Sequence, residues 1–178
     1  MSEKGFTLQK EIIINVPTNS LWEFIGPGFI EVYKWSSNVD HAEGSGIAEF
    51  DGAVCSERFC DVNVKGFNKI SERLIKYDQE KQLLAYEVKD GMPSFVTHAS
   101  NEWSVHPHSV NQSKLRMQAN FKSKGILGAL MNGIMKKKMN DTLETVLKDA
   151  KIYLETDKVS SAKQKRIDHL AKKRLKVA

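Results

Sequence analysis

Cysteine is scarce in this chain, long apolar runs are absent, and none of the common catalytic signatures occurs. The two cysteines, Cys55 and Cys60, stand five positions apart on a stretch that reads as one strand, so their side chains point to opposite faces. An extended run of that length separates the Cα atoms by about 16 Å, beyond disulfide reach. With no further ligands nearby for a metal, they read as free thiols of a reducing compartment. The N-terminal MSEKGFTLQKE has no apolar core of the kind a signal peptide carries. The most apolar helical segment, ILGALMNGIM, falls far short of the ~20 residues of a membrane span. Together these absences point to a cytoplasmic protein. A nucleophile elbow, a zinc-binding helix, a P-loop and a dinucleotide-binding fingerprint are all missing. There is no internal repeat.

What remains is an ordinary globular composition, with 40% hydrophobic and 28% charged residues in 178. That suffices for one domain with a real core. The net charge of +5 is uneven. From Asp157 to Ala178 there are eight Lys or Arg against two Asp, a balance of +6, so the preceding body is at −1. The division predicted is a domain over 1–156 and a basic tail over 157–178.

Phe6, Leu8, Ile12, Ile14 and Val16 share one phase of a period-two pattern, which reads as a strand with one buried face. Pro17 ends it. Thr18 can cap a short helix with Leu21, Trp22 and Ile25 on one side. Gly26-Pro27-Gly28 stops that helix and FIEVYKW supplies a second. Five further strands are read in AVCSERFC, GFNKISERLIKYD, QLLAYEV, the run from Pro93 to His106, and Val110 to Ser123. HPHS connects the last two. Phe95, Thr97, Ala99, Asn101, Trp103 and Val105 share a phase in one. Leu115, Met117, Ala119 and Phe121 share one in the other, as in an antiparallel sheet covered on one side. The period then changes to three and four. Ile126 to about Glu155 reads as one helix of roughly thirty residues, about 45 Å long. Its apolar residues, from Leu127 and Leu130 to Leu154, are read as a single face. Gly125, Gly128 and Gly133 crowd its first half, where each interior glycine loses about 1 kcal/mol relative to alanine; close approach or local bending is expected there.

In this order, with IIINVPTNSLWEFIG, then SERLIKYD and QLLAYEV, then EWSVHP and SKLRMQANFKSKG, the chain resembles the START-like (SRPBCC) superfamily. Within it the likeness is to the polyketide cyclase/dehydrase and lipid-transport group, over residues 6 to 156. The resemblance implies a helix-grip α+β fold: a curved antiparallel sheet wrapped around a long C-terminal helix, with two short helices after the first strand. It also implies a ligand cavity between helix and sheet, but not a particular activity, since some members bind lipids or aromatic compounds and others are enzymes.

If such a cavity exists, the inward phases supply its walls. The expected lining is Tyr86, Phe95, Trp103, Met117 and Phe121 from the strands and Leu127, Leu130, Met131 and Ile134 from the helix, with Trp35 near the mouth. Aromatics and methionine suit a pocket for a small hydrophobic or amphipathic molecule. The plainer reading is that they close a core. Inward polar groups are few, namely Thr97, Asn101, Ser113 and Glu72, and of these Glu72, Thr97 and Asn101 are the candidates for cyclase or dehydratase chemistry. Burial of the Glu72 carboxylate would favour acid–base use, whereas an arginine from a nearby strand would engage it in an ion pair. No cofactor is expected. His106 and His108 flank a proline without a third ligand for a metal, and His41, His98 and His169 form no cluster.

At least one of Lys136, Lys137 and Lys138 must border the apolar face of the long helix; a solvated basic patch is the plain reading, and attraction to an acidic ligand headgroup or a membrane surface, in concert with the basic tail, is the sharper one. VSSAKQKRIDHLAKKRLKVA has a weak amphipathic pattern, with Lys172, Lys173 and Lys176 around Ile167, Leu170 and Leu175. VSSAKQ is linker-like, and the stretch beyond it, as an isolated peptide, is near or below the ~12–15 residues at which helices become even marginal in water. A mobile basic tail is expected, able to make weak contact with an anionic membrane surface. Nucleic acid is disfavoured, because the tail has no aromatic residue for stacking and no reading module accompanies it.

Overall fold

Strand β1 (Lys4–Ile14) stops three residues before Pro17, and helix α1 (Thr18–Ile25) begins directly after that proline. The structure, a computed structural model, describes residues 4–175. Lys176 of the tail lies outside the described residues. A 3-10 turn over Pro27–Glu31 and the single turn α2 (Val32–Trp35) complete the expected helical pair. Then follow β2 (Val39–Ser45), β3 (Glu57–Val64), β4 (Phe67–Asp78), β5 (Leu83–Asp90), β6 (Val96–Ser109) and β7 (Gln112–Ser123). Helix α3 (Gly125–Thr156) spans 32 residues, and α4 (Ser161–Leu175) ends the described chain.

The strands form one antiparallel sheet in the order β1-β7-β6-β5-β4-β3-β2. In β7 the alternation is complete: Ser113, Leu115, Met117, Ala119, Phe121 and Ser123 are buried while their neighbours are not. This is the pattern of a sheet with one dry face. Helix α3 closes that face, packing most extensively on β1, and buries Met135, Met139, Leu143, Val146, Leu147 and Ala150. It stops at Asp157, which turns into the left-handed region (φ 53°). The fold is the helix grip.

Three local expectations are corrected. The chain around Cys55 is not strand: β3 starts at Glu57, and the edge strand β2 was unforeseen. The turn between β6 and β7 lies at Val110-Asn111, so His106, Pro107 and His108 belong to β6. Finally, the basic tail is helical over Ser161–Leu175 and docks on the fold. Lys163 in α4 is 3% exposed, and its Nζ donates to the carbonyl of Val39 (2.7 Å). Arg166 grips Asp40 with two hydrogen bonds (2.8 and 2.5 Å). Edge strand β2 offers backbone and side-chain acceptors, and α4 caps its start. The tail's charge is thus partly engaged within the fold.

Of the helix glycines, Gly128 serves close approach, because a Cβ there would collide with Ser123, whereas Gly133 meets open space. Nothing in the structure explains Gly133.

Candidate functional site

Between α3 and the sheet lies a cavity of about 160 Å³. The register builds its walls. On β6 and β7, Asn101 opposes Ala119, Trp103 opposes Met117 and Ala99 opposes Phe121, and all six line the space. From β3 come Arg58, Cys60, Val62 and Val64, every second residue, and from β4 Ile70 and Glu72. Tyr86 and Val88 of β5 complete the sheet side, while Met139, Thr142, Leu143 and Val146 form the helix side.

One wall is polar. Arg58 and Glu72 are direct cross-strand partners. Arg58 Nε and Nη2 donate to Glu72 Oε2 at 2.8 and 2.6 Å, and Nη1 donates to the carbonyl of Phe29. The guanidinium lies 3.8 Å from the Phe29 ring centre and 5.3 Å from that of Tyr86, in cation–π range. Burial alone would lower the Arg58 pKa, but the Glu72 carboxylate outweighs it, leaving the guanidinium above its ordinary value. Glu72 Oε1 accepts no hydrogen bond among the described residues. The Cys60 thiol is 3.7 Å from Oε2, and burial pushes its pKa up to about 12. Burial also raises the Tyr86 hydroxyl above its usual value; that oxygen accepts from Asn101 Nδ2 at 3.1 Å.

The expected lining is therefore brought together on the sheet and not on the helix. Tyr86, Trp103, Met117 and Phe121 face the cavity. Leu127, Leu130 and Ile134 do not: they are 57%, 72% and 54% exposed, and Met131 is only half-buried and off the cavity. The helix contributes Met139, Leu143 and Val146 instead. Phe95 and Thr97 are displaced by an irregularity between Val96 and His98, which pairs Val96 with Ser123 and shifts the phase by one. Thr97 is exposed and Phe95 packs at the core's margin. Trp35 is buried but sits behind the cavity, edge-on to Trp103 at 6.4 Å between ring centres. Of the polar candidates, Glu72 and Asn101 line the cavity. Arg58 was missed, although its phase with Cys60, Val62 and Val64 marks it as inward. Among the described residues no three His, Cys, Asp or Glu side chains are grouped to hold a metal ion.

A single antiparallel sheet gripping one long helix around an interior cavity defines a START-like protein. The chain belongs to the polyketide cyclase/dehydrase and lipid transport family, whose model matches residues 5–155. Among solved structures, a START superfamily protein from Mycobacterium smegmatis superposes with a TM-score of 0.69 at 15% identity, over 85% of this chain and 99% of that one. A norcoclaurine synthase point mutant from Thalictrum flavum, in complex with a transition-state analogue, gives 0.66 at 15%, over 84% and 96%. The Zhui aromatase/cyclase from a Streptomyces species gives 0.65 at 13%, over 88% and 100%. At these identities the likeness is one of fold. A search of curated proteins finds no match.

Proposed function

We propose that this protein is a cytoplasmic binder of a small hydrophobic or amphipathic molecule, held without a cofactor in the cavity between α3 and the sheet. Residues 1–156 form the binding domain, and 157–178 carry the docked helix that braces β2. The observation behind this reading is a largely apolar cavity of about 160 Å³ whose charged groups, Arg58 and Glu72, lie together on the sheet wall. Apolar walls with a few convergent polar groups are the usual make-up of a small-molecule site, and a space of this size admits a single small ring. The ligand's apolar part lies against Met117, Phe121 and Leu143. A hydroxyl or other donor on it would turn toward Glu72 Oε1.

Ligand addition monitored by tryptophan fluorescence tests this, because Trp103 lines the cavity. A panel of aromatic compounds and short-chain fatty acids should include members that change the emission and appear as a 1:1 adduct by native mass spectrometry. No response to any of them contradicts the reading.

An enzyme of the cyclase or dehydratase type is the second reading. It is favoured by the coincidence of Glu72, Tyr86 and Asn101 on one wall, and by the cyclase and synthase activities named for two of the fold's relatives. Against it, Arg58 already engages the Glu72 carboxylate. Turnover lost in Glu72→Gln with ligand binding retained would select the enzyme.

A further inference from the structure

The apolar stripe that fails to reach the cavity is itself informative. Ile126, Leu127, Leu130 and Ile134 are 81%, 57%, 72% and 54% exposed. At about 100° per residue they fall within roughly 100° of the α3 circumference. Their exposure is enforced from behind. Gly128 packs against Ser123 with no space for a Cβ, Asn132 Oδ1 accepts from Ser123 Oγ at 2.9 Å, and Met135 and Met139 are buried. Rotating the helix to hide the stripe would break all of these contacts.

Charge selects what covers it. From Trp103 to Asn140 there is no Asp or Glu and there are seven Lys or Arg. Lys114 and Arg116 are spent on Glu11. Lys122, Lys124, Lys136 and Lys137 are exposed, and none has a carboxylate within ion-pair distance among the described residues. We infer that the outer face of the first half of α3 docks on an anionic lipid bilayer, its aliphatic side chains entering the headgroup boundary and its lysines meeting the lipid charge. An apolar stripe with flanking lysines is what an interfacial helix requires. Self-association would set the same unpaired lysines against one another. Nucleic acid would leave the aliphatic stripe unused. The α4 contribution is smaller, since Lys163 and Arg166 are engaged with Val39 and Asp40.

None of the four stripe residues lines the cavity. Docking does not depend on which ligand fills the cavity.

Flotation of the full chain with phosphatidylcholine vesicles, with and without phosphatidylserine, tests the surface. The protein should float only with the anionic vesicles and be released by high salt. Leu130→Glu, and separately Lys136→Glu with Lys137→Glu, should each weaken association by roughly tenfold or more. Thermal melts should stay at the wild-type midpoint, because these side chains are exposed. Three results would overturn the inference: no flotation with anionic vesicles, equal flotation with both kinds, or flotation indifferent to both variants. Concentration-dependent dimerisation abolished by Leu130→Glu would overturn it too, by assigning the face to a second copy of the chain.

Discussion

Arg58 and Glu72 face each other across β3 and β4 and close an ion pair of 2.6 Å, with side chains 6% and 5% exposed. Charges so far from water are tolerated only as a pair. Removing one partner leaves the other unmatched, at a cost of about 3–5 kcal/mol, whereas replacing both with apolar residues of similar volume is often neutral or stabilising. Arg58→Ala should therefore shift the urea midpoint strongly. Arg58→Met combined with Glu72→Leu should recover most of the loss while removing the polar wall. A double variant as unstable as the single one would mean that Arg58's bond to the Phe29 carbonyl matters more than the pair.

Most of this architecture is legible in the sequence, and the failures have identifiable causes. Alternation gave β7 residue by residue, because nothing interrupts its ladder. In β6 the same reading fails N-terminal to His98, where one irregularity inverts the phase and sends Thr97 outward. Period two carries no warning of such a shift. The helix error is arithmetical. Leu130 and Met139 are nine positions apart, about 900° or half a turn out of phase, so no single face holds both. Spacings of three and four, chained over a long helix, drift around it. Arg58 was hidden for another reason: a charged residue in an inward phase reads as an exception until its partner is known. The docking of α4 depends on Val39 and Asp40, more than 120 positions away, and local propensity cannot see that.

That docking has a measurable consequence. A chain truncated after Lys158 loses the Lys163 bond to Val39 and the two-point Arg166–Asp40 contact. Charged hydrogen bonds of this kind contribute about 1.5–3 kcal/mol when partly buried. The melting midpoint should fall by roughly 5–10 °C for a chain of this size. Lys163→Met alone should account for a good part of the fall. An unchanged midpoint would show that α4 adds nothing to the fold.

The cysteines should be chemically silent. Both are buried and unpaired. With its pKa pushed up to about 12, the Cys60 thiol is ionised to only ~10⁻⁴ at pH 8, and the thiolate is the reactive form. Because the folded value lies above the unfolded one, the neutral thiol's contribution to stability is complete below about pH 9 and declines as pH rises toward 12. Neither cysteine should react with a thiol reagent at pH 8 until denaturant is added. Rapid labelling of Cys60 in the native protein would show that water and reagent enter the cavity freely.

Filling the cavity should separate stability from binding. Ala119 is 2% exposed, lines the cavity from β7 and lies between Met117 and Phe121 in the inward phase. Ala119→Leu adds three carbons to a space of about 160 Å³, so room exists without overpacking. Burial contributes about 0.8 kcal/mol per methylene, hence up to ~2 kcal/mol in all, less whatever rotamer strain the cavity wall imposes. The variant should melt at or above the wild-type temperature and lose the ligand-induced change in Trp103 emission. Cavities kept open at a cost in stability are a common mark of function. A variant that gains stability and still responds to ligand would move the binding site elsewhere. One that is strongly destabilised would show that the wall around Ala119 cannot accept the volume, and Ala99→Val, on the opposing strand, then makes the same test with a smaller step.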